Sequence, residues 1–376
     1  MPGWLCRHRV LASAIALVLV AGGVAVPLAL GAAEDSCNEL PARLRELAEG
    51  SAPSATRALD PREDMSRFDA VRALLPAGDL CGDGGRVLGR VVDAATGADG
   101  SGRAHTTAQA RVVYAVTAAY RAAEVPRGAE PGLARMLAGY VADTTLVVLD
   151  DPDANTPAVP ASLAAPDEAG WSRFGPFLSP ADAHPDFGFT YSGALDTGLG
   201  PLFGRLARDP EAFAVLYDAE RAFLAHYLER LTRLGTDPDY HPEKEKGEQK
   251  TPVTLGVDND LRDIGSRIGG LLCTRESIAD DGDTDDLASF DAAVRRHTRG
   301  AYRAAPRQVA GRPPMGSIAG RPVSGPVQGD LMDGRYQITA TVDAWAAARG
   351  VSAERASVIR RVLGGAYEGA FEDGSI

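Results

Sequence analysis

Residues Val10–Ala33 carry no charged side chain, and that stretch constrains this chain more than any other. It reads VLASAIALVLVAGGVAVPLALGAA, with Arg7, His8 and Arg9 before it and Glu34 and Asp35 directly after. As a helix, the 21 residues Val10–Leu30 would be about 32 Å long, against a hydrocarbon core of about 30 Å. The spacing predicts one membrane span, and the flanking charges place the N-terminus inside and the body outside. A removed signal segment is the alternative. Ala29 and Gly31, or Gly31 and Ala33, set small residues three and one before a cut, although the apolar run exceeds the ~7–15 residues usual for a signal. Cys37 lies too far on for a lipobox.

Charge narrows the function classes. The chain has 39 basic and 51 acidic residues, and only Arg7 and Arg9 precede Glu34, so the body carries a net charge of −14. Phosphate neutralisation needs a basic face, so nucleic acid is not an expected partner. Adhesion of the body to an anionic leaflet is disfavoured for the same reason. Only three lysines occur, Lys244, Lys246 and Lys250, and the Ala, Gly, Asp and Arg content looks like a GC-rich bacterial codon bias. Of the four cysteines, Cys6 precedes the apolar stretch while Cys37, Cys81 and Cys273 follow it and would face an oxidising compartment. Three cysteines allow one bridge among themselves. Cys37 and Cys81 each border a predicted helix and are the expected pair, worth roughly 3–4 kcal/mol on the chain-entropy model. Cys273 falls on an apolar helix face and is expected to be a buried thiol.

Helical periodicity runs through most of the body. Glu39–Ala48 is a short helix; a second is expected to start at Asp60-Pro61-Arg62-Glu63, with Asp60 as N-cap and Glu63 completing a capping box, and to carry Met65, Phe68, Val71 and Leu75 inward. Gly82–Gly85 reads as a turn into Arg86–Gly97. Thr106–Tyr120 is helical with Val112, Val113, Val116 and Tyr120 inside, and Leu133–Asp143 follows. Residues Asp150–Ser192 hold seven prolines and an aromatic set from Trp171 to Tyr191, and are expected to form a long irregular loop docked on the surface. A strong helix runs from Asp209-Pro210-Glu211 to Gly235, its stripe formed by Phe213, Leu216, Phe223, Tyr227, Leu231 and Leu234. Thr236–Pro252 reads as loop, Leu261–Leu272 and Asp285–Tyr302 as helices. Residues 303–334 read as a Pro/Gly/Arg-rich linker, and Arg335–Ala348 and Ala353–Phe371, capped by Ser352, as a closing pair.

The expected fold class is therefore all-α, an irregular multi-helix array with long loops, preceded by one N-terminal transmembrane or signal helix. The expected division is a cytoplasmic stretch 1–9, the anchor or signal 10–33, a helical domain 34–302, the linker 303–334 and a helical pair 335–376.

The order RVLGRVVDAATG, TTAQARVVYAVT, LARMLAGYVAD, LARDPEAFAVLYDAERAFL and LRDIGSRIGGLL resembles a helical domain of unknown function found in actinobacterial proteins. That domain often accompanies WXG-type helical hairpins linked to type VII secretion and toxins. The resemblance spans roughly residues 86–302. The chain departs from it in opening on an apolar segment and in lacking a WxG turn, since Trp171 precedes Ser172-Arg173. The resemblance implies a secretion- or toxin-linked setting and carries no catalytic residues with it.

Chemical motifs are sparse. There is no HExxH, no GxSxG and no GK[ST], which leaves no zincin, nucleophile-elbow or P-loop reading. No cofactor is implied. His184, flanked by Asp182 and Asp186, is the most site-like histidine, because a carboxylate can orient an imidazole as a base. Asp281, Asp283 and Asp285 match the first, third and fifth positions of a calcium loop, but Asp286 replaces the sixth-position Gly and Ala292 the twelfth-position Glu. Asp151, Asp153 and Asn155 open a similar pattern that fails at Ser162. Read together, these features suggest a membrane-anchored extracytoplasmic helical scaffold or protein-interaction module, with a protein partner and a membrane contact through its N-terminal helix. A hydrolase with its site in the 150–192 loop and a calcium-dependent module stand as alternatives.

Overall fold

The computed structural model describes residues 37–62, 66–97, 106–121, 123–145, 199–233, 252–280, 284–298 and 330–373. Among these residues the chain is all-helical with no named strand, only an isolated parallel bridge between Asn38 and Leu80. None of the described helices is long and apolar enough to cross a membrane. The stretch Val10–Ala33 lies outside the described residues.

The first half is built around one helix. α1 (Ala42–Glu49), α2 (Ala52–Leu59), α3 (Phe68–Leu74), α4 (Gly84–Thr96), α5 (Thr107–Tyr120) and α6 (Glu130–Gly139) follow in order, and α4 packs on α1, α2, α5 and α6. The expected inner face of α5 is observed: Val112, Val113 and Val116 are fully buried and Tyr120 nearly so. Thr106 caps that helix in a reciprocal box with Gln109. α4 and α6 approach so closely that a Cβ on Gly132 would stand 2.2 Å from the Gly89 carbonyl oxygen.

Asp60 departs from the sequence expectation. It ends α2 rather than starting the next helix, and Arg62, at φ 69°, breaks the path before α3 begins at Phe68. The Asp60 carboxylate has other partners: it accepts the Arg62 backbone N–H at 2.9 Å and a bidentate pair from Arg111 Nε and Nη2, both at 2.8 Å. A tertiary ion pair with good geometry outcompeted a cap. Gly84 and Gly85, expected in a turn, instead form the buried first turn of α4. Leu133–Asp143 is likewise not one helix: α6 stops at Gly139, and α7 (Val141–Thr145) continues after Tyr140.

The second half is organised by α9. α8 (Gly200–Leu206) leads into α9 (Pro210–Arg233), followed by α10 (Pro252–Asp280), α11 (Thr284–Thr298), α12 (Asp330–Arg349) and α13 (Ala353–Asp373). α10 starts nine residues before the expected Leu261, and α12 starts at Asp330, inside the expected linker. Asp209 Oδ1 accepts the Ala212 amide at 2.8 Å and so caps α9. α9 is covered by α6, α7, α10, α11 and α12, so residues 212–225 are buried on every side rather than along one stripe. The largest interhelical contact joins α10 to α13. A Cβ on Gly265 would lie 2.5 Å from the Leu363 carbonyl oxygen and one on Gly269 2.3 Å from that of Tyr367, so these glycines set the interaxial distance. Ser352 Oγ accepts the Arg355 amide at 3.2 Å, the cap expected for α13. Core residues of both halves, including Trp345 and Tyr367 of the closing pair, belong to one continuous hydrophobic cluster.

Candidate functional site

The sequence candidates fall mostly outside the described residues. That holds for His184, Asp182 and Asp186, for Asp151, Asp153 and Asn155, and for Asp281 and Asp283. Asp285 sits in the first turn of α11, which begins at Thr284. Among the described residues, no group of three or more His, Cys, Asp or Glu side chains is placed to hold a metal ion.

The expected disulfide is present. Cys37 and Cys81 are bonded, with Cα atoms 5.0 Å apart. The surrounding backbone explains the match: the Asn38 amide donates to the Asp79 carbonyl at 2.9 Å and the Cys81 amide to the Asn38 carbonyl at 3.0 Å. The bridge thus pins the segment entering α1 to the turn entering α4. Cys273 requires a correction. It is buried at 5 % exposure, as its helix face implies, but it is disulfide-bonded rather than a free thiol. Helix periodicity reports an apolar setting, and such a setting accepts a bonded sulfur as readily as a thiol.

The site that sequence reading missed lies in the core. α9 buries Asp218, Glu220 and Arg221, and α10 buries Arg267 and Arg275. Charges are almost never fully buried unless partnered, so these five positions are informative where an exposed charge would not be. Two of the sets close on themselves. Arg221 Nη1 meets Asp218 Oδ1 at 3.2 Å, and Arg275 grips Asp291 of α11 through Nε at 2.7 Å and Nη2 at 2.6 Å.

The third set is different. Glu220 Oε1 accepts the Thr145 hydroxyl of α7 at 2.7 Å, and Arg267 Nη2 donates to the Thr144 carbonyl at 2.8 Å. The guanidinium carbon of Arg267 lies 4.4 Å from the ring centre of Phe203 on α8, a cation–π distance. Yet Glu220 Oε2 and Arg267 Nε and Nη1 have no hydrogen-bond partner. Four elements, α7, α8, α9 and α10, therefore meet at a polar centre whose two charged members act on each other electrostatically with no hydrogen bond between them. Burial pushes the Glu220 carboxyl up to about 7, with the Arg267 charge and the Thr145 hydroxyl pulling it back. Burial also lowers the Arg267 guanidinium from its ordinary value, opposed by Glu220 and Asp263. Asp218 is pushed up to about 7 by burial as well, against the pull of Arg221.

A carboxyl that titrates near neutrality is suited to proton transfer. Glu220, however, is only 1 % exposed, so a substrate would have to part the helices to reach it. The geometry suits a conformational role better than a catalytic one. A sequence signal for it existed: along α9 the apolar stripe passes from Leu216 to Phe223, and the position between them in helical register is Glu220.

Compared with family models, curated proteins and solved structures, the chain shows no match.

Proposed function

We propose that this chain is a membrane-anchored extracytoplasmic helical scaffold, an interaction module that works as an accessory to a secretion or toxin system. The observation that carries the reading is the Cys37–Cys81 disulfide, which begins four residues after the uncharged stretch Val10–Ala33. Disulfides persist in oxidising compartments, so a bonded pair this close to the apolar segment supports a body on the outer side. The helical core supports the scaffold part: its helices are joined by close glycine seams and a continuous apolar cluster, which makes a rigid body for presenting surfaces. The secretion setting rests on the resemblance of residues 86–302.

Intact mass measurement of the mature protein from the membrane fraction tests the reading. An N-terminus that retains Val10–Ala33 supports the anchor, and a start at Ala32 or Glu34 refutes it in favour of a released form. Labelling with a membrane-impermeant reagent should modify body residues in intact cells; protection of the body would overturn the outside orientation.

A further inference from the structure

Glu220 and Arg267 are 1 % and 7 % exposed, and each has one part bonded and another left over. Glu220 Oε1 accepts the Thr145 hydroxyl, while Oε2 has no hydrogen-bond partner. Arg267 Nη2 donates to the Thr144 carbonyl, while Nε and Nη1 have none. An orphaned acceptor and two orphaned donors therefore share one buried centre. We propose that this centre is a binding site for an internal water molecule, which donates to Glu220 Oε2 and accepts from the Arg267 guanidinium. The two charges then form a water-bridged ion pair.

The orphaned atoms and the ligand are complementary. A carboxylate oxygen and guanidinium N–H groups lose strong hydrogen bonds to bulk water when helices close over them, and native cores rarely leave that loss unanswered. A water molecule donates and accepts at once, and a polar site of this kind is where buried waters are retained. No apolar side chain from α7, α8, α9 or α10 could meet the same need.

Direct contact between Glu220 and Arg267 is the competing arrangement, and the way each side chain is held opposes it. Thr145 holds Glu220 at 2.7 Å, and Thr144 holds Arg267 at 2.8 Å. Phe203 of α8 holds the guanidinium carbon 4.4 Å from its ring centre. With these contacts made, Oε2 and the guanidinium are not bonded. A bridging water joins groups that stand apart, is enthalpically close to a direct bond, and leaves all three contacts in place. The other buried charges of α9 and α10 need no such bridge: Asp218 meets Arg221 directly, and Arg275 meets Asp291.

The placement also governs exchange. With both side chains enclosed by four helices, this water leaves only when α7 or α8 opens, so its residence is long compared with that of surface solvent.

A crystal structure of the full chain, at a resolution that places ordered solvent, tests the proposal. A solvent peak within hydrogen-bond reach of both Glu220 Oε2 and an Arg267 nitrogen is expected. Direct contact of Oε2 with the guanidinium, or a dry centre, overturns the proposal, and the wild-type chain suffices for that result. In solution, oxygen-17 relaxation dispersion counts long-lived internal waters. The double variant Glu220→Met/Arg267→Met, which removes both charges together, should hold fewer than the wild type. An equal count in the folded double variant overturns the assignment.

Discussion

Replacing Gly269 with alanine should destabilise this protein, and replacing Gly365 with alanine should stabilise it, although both lie inside helices. In an exposed helix interior, alanine is better than glycine by about 1 kcal/mol. At Gly365 that gain is unopposed, because an added Cβ meets nothing within 4 Å. At Gly269 the Cβ would stand 2.3 Å from the Tyr367 carbonyl oxygen and 3.0 Å from its carbonyl carbon and Cα. These are backbone atoms of α13 and cannot swing aside. To restore ordinary contact, α13 must retreat by about 1 Å, and a gap of that size forfeits a quarter to a half of each dispersion contact it opens. Ile359, Leu363 and Tyr367, all fully buried, line the face that would move. Overpacking costs about 1–3 kcal/mol, and a 2.3 Å approach to backbone that cannot move aside sets this site in the upper part of that range, above the propensity gain. Urea unfolding followed by circular dichroism should show a lower midpoint for Gly269→Ala and a higher one for Gly365→Ala, both at unchanged m-value. In thermal unfolding each kcal/mol corresponds to about 2–4 °C. A Gly269→Ala variant as stable as Gly365→Ala would refute the view that glycine sets the α10–α13 distance.

Other perturbations should separate what matters from what merely shows. The double variant Cys37→Ser/Cys81→Ser should lose about 4 kcal/mol in urea unfolding, the loop-closure value for a separation of 44 residues; an unchanged midpoint would mean the bridge constrains nothing. Asp60→Ala should cost roughly 2 kcal/mol, because it leaves the half-buried Arg111 without its bidentate partner. Asp343→Ala, at a more exposed pair with Arg360, should stay within about 0.5 kcal/mol by the same assay. Equal effects at the two sites would count against burial as the deciding variable. Addition of roughly millimolar calcium should leave the thermal midpoint unmoved, since the Asp281, Asp283 and Asp285 pattern lacks the sixth-position Gly and the twelfth-position carboxylate; a rise would reinstate the calcium-dependent reading.

Much of the helical content was legible because periodicity and caps are local. The inner face of α5, the Ser352 cap and the pairing of Cys37 with Cys81 all follow from residues near one another along the chain or bordering predicted helices. Local rules failed where a distant group competed for the same atoms. Asp60 had the surroundings of an N-cap, and Arg111, 51 residues on, took its carboxylate instead. Cys273 showed its burial but not its bond.

The sequence alone determined a long uncharged stretch ahead of an acidic, helix-forming body, because charge and period are properties of the residues themselves. The tertiary structure alone decided what covers each helix. A charged residue on a helix counts as solvated until another helix lies over it, and periodicity does not say which one will. Glu220 reaches Thr145 across 75 residues and Arg267 reaches Thr144 across 123. Only the packing of α7, α8, α9 and α10 turns those four side chains and backbone groups into one buried centre.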